Sequence, residues 1–405
     1  IVISERMREA MRVSGLQRVE VAKRAVSVVF ILQGLGFASW ASRIPQVQEQ
    51  LDLSPAQLGF VLLSIAAGCL VALPTAGMVV HRFGAARTTA VTVTIFCAGI
   101  ALAAIGTNVG VLVVVVGLVL MGVGTGAGDV AMNVEGAAVE QALGRSVMPR
   151  FHAGFSIGTV AGALLGIIAN VFNLSVAIHL TIISVIILVV SLIAIRSYLP
   201  AGAEEHDEGE RGHPMAAWKE PRTLLIGVFL FALAFSEGTG NEWVGVAAVD
   251  SFAATAAMAS ATYFVFVVAM TTVRWFGSGI LDRFGRVRTM RVSILVSIGG
   301  VLLVVFAPAL WVVMVGCVFW ALGTGLGFPV GMSSAADDPA KAAGRVSAVA
   351  SIGYLAFLTG PAVVGIIAEY TGVLRSLSVT AVLLVIGFLV VGATKPLPGA
   401  TDGAH

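Results

Sequence analysis

His81-Arg82-Phe83-Gly84 recurs 201 positions later as Asp282-Arg283-Phe284-Gly285, and each copy sits between two long apolar runs. Gly124-Thr125-Gly126-Ala127-Gly128 returns as Gly323-Thr324-Gly325-Leu326-Gly327 at an offset of 199. Gly166-Ile167-Ile168-Ala169 returns as Gly365-Ile366-Ile367-Ala368, again at 199, and Ser156-Ile157-Gly158 is echoed by Ser351-Ile352-Gly353 at 195. Four matches in one order and near one offset mark a duplicated unit.

Working outward from these repeats, each half divides into runs of the length that a bilayer crossing requires, about 20 mostly apolar residues. They lie near 24–42, 56–80, 88–106, 109–140, 151–171 and 174–195, then near 222–248, 256–281, 289–307, 309–334, 346–369 and 373–393. Between the two sets is a polar linker with Glu204, Glu205, Asp207, Glu208, Glu210 and Arg211. The chain is 58% hydrophobic and only 11% charged, with mean hydropathy +0.98, whereas a soluble domain carries about a quarter charged residues. In lipid the hydrocarbon is the solvent, so so apolar a chain has no surface to cover. A net charge of +2 gives no basic field for nucleic acid. Cys69, Cys97 and Cys317 fall inside apolar runs without metal-ligand spacing and read as packing residues.

The expected architecture is an all-α polytopic membrane protein of 12 transmembrane helices in two pseudo-symmetric six-helix bundles. Its parts are an N-terminal segment (1–23), a first bundle (24–198), a linker (199–220), a second bundle (221–394) and a tail (395–405). Residues 1–24 are basic and polar, and the run that follows is long enough to span, so this start reads as a cytoplasmic segment rather than a cleavable signal. Arg82, Arg87, Arg145, Arg150, the stretches Arg196 to Arg222 and Arg283 to Arg291, Lys341, Arg345 and Lys395 all fall on the side of the termini; the opposite loops hold only Arg43 and Arg375. By the positive-inside rule both termini are expected in the cytoplasm, with the protein in the plasma membrane. The opposite loops are too short for an external domain, and no metal cluster, nucleophile triad or phosphate loop survives placement on the spans. Neither an enzyme nor a cofactor is expected. The glycine string Gly122 to Gly128 lacks the strand that a dinucleotide fingerprint needs. It suits close helix approach instead, or a broken helix. Phe328-Pro329 and Gly360-Pro361 are expected to break or kink helices 10 and 11.

The His81 and Asp282 loops carry a resemblance. The second reads Ser278, Ile280, Leu281, Asp282, Arg283, Gly285, Arg286, Arg288, and the first keeps Gly77, Arg82, Gly84 and Arg87 but has His81 at the acid position. This resembles the signature loop between helices 2 and 3 of the major facilitator superfamily, roughly G-x-L-a-D-R-x-G-R. The resemblance implies a transporter working by alternating access, with these residues as a conformational latch that lacks its acid at His81. Within the superfamily the chain looks most like the fucose-permease-like branch, where helix 4 carries an acid followed four positions later by Asn, here Asp129 and Asn133. Phe151-His152-Ala153-Gly154-Phe155-Ser156-Ile157-Gly158 is similar to a feature of the same branch. The second acid of fucose permease aligns with Ala41, ahead of Ile44-Pro45, so its sugar specificity does not carry over. The helix 4 Arg of antiporters is missing too, which favours symport.

An ionisable group within the hydrocarbon costs a few kcal/mol and normally faces a cavity or a partner. Asp129 and Asn133 share a helix face, and Asp129 reads as a proton-coupling or substrate residue in preference to a helix-end cap. Glu135 reads either as a second coupling residue or as part of a structural pair. On helix 7, Glu237 and Asn241 are one turn apart. At about 1.5 Å per residue Glu237 lies roughly 22 Å in and Glu242 about 30 Å in. That places Glu237 with the substrate, since the resemblance makes helix 7 cavity-lining, and Glu242 at a solvated rim. Trp243 is a stacking wall or an interfacial anchor. Helix 1 offers Gln33 and Trp40 to substrate. Arg43 pairs with Glu242 or Glu49 as an outer gate, or snorkels. Arg274 needs an anion: Asp129, Glu135 or the substrate. His152 reads as a structural residue ahead of a proton carrier.

The expected activity is therefore secondary active transport of a small polar solute, proton-coupled (with sodium as the other coupling ion), by a monomer in the lipid bilayer. Proton-driven export of a drug-like or metabolic compound on the same fold is the alternative.

Overall fold

A computed structural model of the chain describes residues 5–145, 147–199, 217–338 and 341–397, with residues 5–15 and 343 described by their backbone alone. Among the described residues are twelve helices long and apolar enough to cross a membrane. They are α1 (Leu16–Gln50), α2 (Pro55–Phe83), α3 (Ala85–Gly106), α4 (Val111–Leu143), α5 (Met148–Val171), α6 (Val176–Ile195), α7 (Pro221–Phe252), α8 (Ala256–Phe284), α9 (Arg286–Val305), α10 (Leu310–Ala335), α11 (Gly344–Thr371) and α12 (Val373–Thr394). The described residues contain no strand. The acidic stretch Glu204 to Arg211 of the linker lies outside them. Val71, Leu112, Phe276 and Leu389 are 65–76% exposed, a surface that only a hydrocarbon solvent tolerates in such number.

The repeat is built into the joints. Gly84 (φ 80°) and Gly285 (φ 75°) link α2 to α3 and α8 to α9 in a backbone conformation that a Cβ would strain. A Cβ on Gly124 would collide with the backbone of Phe96 on α3, and one on Gly323 with that of Ser293 and Ser297 on α9. The glycine strings thus let paired helices touch backbone to backbone, as small residues do in lipid. Ser175 and Thr255 cap α6 and α8, accepting from the Ile178 and Met258 amides at 3.2 and 3.3 Å.

Breaks fall at only some of the expected places. α10 is interrupted at Gly325-Leu326, between Leu310–Thr324 and Gly327–Ala335. α1 stops at Ala41 and resumes as a short helix over Ile44–Gln50, with Pro45 in its first turn. α4 runs unbroken through its glycines from Val111 to Leu143. The helix holding Pro361 is continuous from Ala342 to Thr371, so of the break or kink expected there the break does not occur.

Two compact units are distinguishable. The first comprises Ile1–Trp40, Ala67–Gly162 and Ser175–His206; Val26, Phe30, Phe96, Ile100, Leu118, Met121 and Leu180 are buried in it. The second comprises Ala41–Ala66, Ala163–Leu174 and Asp207–His405, with Phe229, Leu233, Trp243, Phe266 and Trp320 buried and the Phe266 and Trp320 rings edge to face at 5.6 Å. Each unit contains the same ionic clasp, 200 residues apart. In the first, Glu20 of α1 meets Arg145, ahead of α5, at 2.8 Å. In the second, Glu220, ahead of α7, meets Arg345 of α11 at 2.6 Å.

Candidate solute and proton site

In the first unit α4 carries the expected pair. Asn133 donates from Nδ2 to the Asp129 carboxylate at 3.1 Å and to the Asp129 carbonyl at 2.8 Å. Asp129 is half-buried, and the His152 imidazole of α5 lies within electrostatic range. One turn back on α4, Thr125 accepts a 3.4 Å contact from the buried Gln33 amide of α1. Thr125, Asp129 and Asn133 thus form a polar strip along α4 that Gln33 of α1 meets at Thr125. Trp40 is buried, with its indole Nε1 lacking a hydrogen-bond partner. Glu135 stands apart from the strip: buried, it accepts the Leu199 backbone N–H at 2.7 Å, a tie between α4 and the end of α6. The rings of exposed His152 and buried Phe30 meet edge to face at 5.3 Å.

In the second unit Arg274 of α8 meets Glu237 of α7 at 2.7 Å and donates from Nε to the Gly325 carbonyl at 3.1 Å. Its partner is therefore an acid of the same half, not Asp129 or Glu135. The bond to Gly325 uses a carbonyl at the break in α10, where the helix leaves an acceptor over. Asn241 donates back to the Glu237 carbonyl at 2.9 Å. Further along α7, Trp243 is fully buried and cannot serve as an interfacial anchor. Glu242, expected at a solvated rim, is half-buried, and its Oε2 is buried without a hydrogen-bond partner. α7 is packed beneath the short distal helix of α1, which adds a layer of protein where counting residues predicts water.

That distal end, reached by α1 at Gln50, is tightly packed within the second unit. Arg43, 2% exposed, donates to Asn170 Oδ1 and the Leu174 carbonyl rather than to Glu242 or Glu49. Asn170 donates to Ser260 Oγ at 2.8 Å and to the Ala256 carbonyl at 3.1 Å, and Ser260 donates to the Ser42 carbonyl at 2.8 Å. Glu369 of α11 accepts the Ala56 amide of α2 at 3.2 Å. A Cβ on Gly365 would lie 2.5 Å from the Pro55 carbonyl oxygen, and one on Gly59 would strike that of Pro361. α1, α2 and α5 are here bonded to α8 and α11, so the two halves of the sequence meet at this end.

At the opposite end, Asp337, 1% exposed at its side chain, receives Arg286 at 2.6 Å and Arg222 at 2.8 Å. Arg286 of the latch motif is thus held by an acid that the sequence reading missed. Asp282 is exposed, and Arg82 and Arg283 lie 5.7 and 5.3 Å over the Phe83 and Phe284 rings. Gly77 and Arg87 are exposed, and exposed His81 occupies the acid position of the first copy.

Residues 26–354 match the model of the Major Facilitator Superfamily. The chain belongs to this superfamily. Relatives include an uncharacterized transporter of Sinorhizobium fredii, 30% identical over 87% of this chain and 93% of its own length. An uncharacterized MFS-type transporter of Yersinia pestis is 27% identical over 88% and 91%. Membrane protein MosC of Rhizobium meliloti is 28% identical over 87% and 85%. Among solved structures, the nucleoside transporter NupG aligns with TM-score 0.73 and 16% identity over 92% of this chain and 98% of its own. FucP in its outward conformation aligns with 0.64 and 15% over 94% and 100%. The bacterial homolog of Spinster in an inward-facing, unoccupied conformation aligns with 0.75 and 14% over 94% and 99%. At such identities these structures establish the major facilitator fold. The protein is a membrane transporter of that superfamily.

Proposed function

We propose that this transporter is a proton-coupled symporter of a small polar solute, working by alternating access in the plasma membrane with both termini cytoplasmic. The observation that carries it is Asp129: a half-buried carboxylate in mid-helix whose hydrogen-bond partner is the uncharged amide of Asn133. The basic group within electrostatic range of it is the titratable imidazole of His152, and a carboxylate inside a bilayer carries charge at a cost of several kcal/mol. Its protonation is therefore coupled to whichever conformation surrounds it, which is what a coupled cycle requires. Within the first unit Gln33 and Asn133 offer neutral hydrogen bonds to solute, with Trp40 as the apolar neighbour. Within the second, Glu237, Arg274 and Asn241 offer charged and amide groups, with Trp243 as theirs. Glu135, tied to the end of α6, responds to that end's movement.

The test is a thermal-shift screen of purified protein against sugars, organic acids and amino acids, followed by uptake into proteoliposomes under an imposed pH gradient. Asp129→Asn should abolish gradient-driven accumulation while leaving ligand-induced stabilisation in place. Accumulation at the wild-type level by Asp129→Asn would refute the assignment.

A further inference from the structure

Glu242 is used neither by the ion pairs nor by the polar strip. On α7 its face is fixed by Gly245, three residues on: a Cβ there would lie 3.3 Å from the Pro45 ring and 3.6 Å from the Ala259 carbonyl oxygen. One turn inward on each helix, Glu242 of α7 and Tyr263 of α8 come within electrostatic range of each other. Glu242 Oε2 and the Tyr263 hydroxyl are both buried without a hydrogen-bond partner, as are Thr239 Oγ1 and Trp243 Nε1 on the same stretch of α7.

The charged groups around it are committed elsewhere. Arg274 of α8 is held by Glu237, and the two terminal nitrogens of Arg43 donate to Asn170 and the Leu174 carbonyl, leaving its Nε without a partner. On α1, Gln46 is uncharged and Glu49 is an acid; on α7 itself the other ionisable groups are Arg222 at its start, held by Asp337, then Glu237 and, at the distal end, Asp250. α10 and α12 bring no Asp, Glu, His, Lys or Arg within their described helices Leu310–Thr324, Gly327–Ala335 and Ser378–Val390. Those of α11 lie near its ends, Arg345 and Glu369, and Arg375 starts α12. A carboxylate so placed must take up a proton or gain water, because burying an unpaired charge costs several kcal/mol.

We infer that Glu242 is a second proton-binding site, loaded from the outer side, and that its ionisation favours opening of the Arg43–Asn170–Ser260 closure. With α1 seated on α7 through Pro45 and Gly245, Glu242 Oε2 is buried; separating the two helices would bring water to it. The site requires no space beyond that of a proton. This inference rests on reading the distal end as the outer side, and it does not depend on Asp129 or on the solute.

The test uses the full chain in right-side-out vesicles, with Cys69, Cys97 and Cys317 replaced by Ala and a single reporter, Ser42→Cys, inside the closure. The initial rate of labelling by a membrane-impermeant maleimide is followed against external pH and divided by the rate in the same protein carrying Glu242→Gln, which cancels the thiol's own titration. The ratio should rise with pH, by up to about tenfold per unit for one coupled proton, and Glu242→Asp should keep that rise. Infrared spectra of the purified proteins should show a protonated-carboxyl carbonyl band that Glu242→Gln lacks. A flat ratio, or a band unchanged by Glu242→Gln, overturns the inference. If Asp129→Asn abolishes the pH response and Glu242→Gln leaves it intact, the Glu242 site is likewise overturned while coupling through Asp129 stands.

Discussion

Gly365→Ala tests whether the distal packing is one state of a moving part or a fixed seam. The added Cβ would lie 2.5 Å from the Pro55 carbonyl oxygen and 3.2 Å from Gly59 Cα. Both neighbours are backbone, so neither can swing aside as a side-chain end would. Overpacking of this kind costs about 1–3 kcal/mol. Ala also gains about 1 kcal/mol over Gly in a helix, but that gain is present in every conformation and cancels from the equilibrium between them. The steric cost applies only while α2 and α11 are in contact. The ratio of open to closed distal ends should therefore rise about 5- to 150-fold, at 1.4 kcal/mol per decade. The assay is the labelling rate of Ser42→Cys by an impermeant thiol reagent, with Gly299→Ala as control, since nothing lies within 4 Å of a Cβ there. Labelling equal to that of the control, with an unchanged melting temperature, would refute the reasoning: it would mean that this end does not open.

Asp337→Asn leaves Arg222 and Arg286 facing an uncharged amide at a buried position. It should lower stability by about 3–5 kcal/mol, read as a drop in melting temperature in detergent. Glu237→Gln and Arg274→Gln break a pair that is 14% and 26% exposed at its side chains, so each should cost roughly 1–3 kcal/mol after allowance for solvent. The double variant should recover part of that loss in a double-mutant cycle of melting temperatures. Glu220 is held below the ordinary carboxylate range, chiefly by its hydrogen bond from Arg345, with Thr223 and Lys341 adding to the effect. A lowered folded-state value makes its contribution present above the unfolded value of about 4.3 and lost as pH falls below it. Melting curves across that range should show Glu220→Gln with a flatter acid limb than wild type.

The fold was legible because hydrocarbon imposes one rule on every crossing. Runs expected near 109–140 and 174–195 became helices over Val111–Leu143 and Val176–Ile195, displaced by no more than a few residues. The breaks were less legible. A glycine string can either interrupt a helix or let it touch a neighbour, and which occurs depends on the neighbour: Gly124 meets Phe96 and α4 continues, whereas Arg274 bonds the Gly325 carbonyl where α10 is broken.

Of the site, the pair Asp129 and Asn133 was readable because both residues lie on one helix. Arg274 and Glu237 were each singled out but not matched, since pairing across helices depends on rotation about their axes, which spacing does not encode. Asp337 was missed although it stands just after the second glycine string, on the side where Arg286 lies. Asn170 and Ser260 gave no signal as single polar residues near helix ends. Glu20 and Glu220 could have been found: they and their arginines, 145 and 345, each recur at an offset of 200.

Those recurring acid–arginine pairs bear on how the polypeptide could be divided. Glu20 and Arg145 both precede the acidic stretch Glu204 to Arg211, and Glu220 and Arg345 both follow it. Cleaving the backbone between them severs neither clasp, so two fragments made as separate chains would each retain one. The bonds from Asn170 to Ser260 and from Ala56 to Glu369 would then tie fragment to fragment without a covalent bridge.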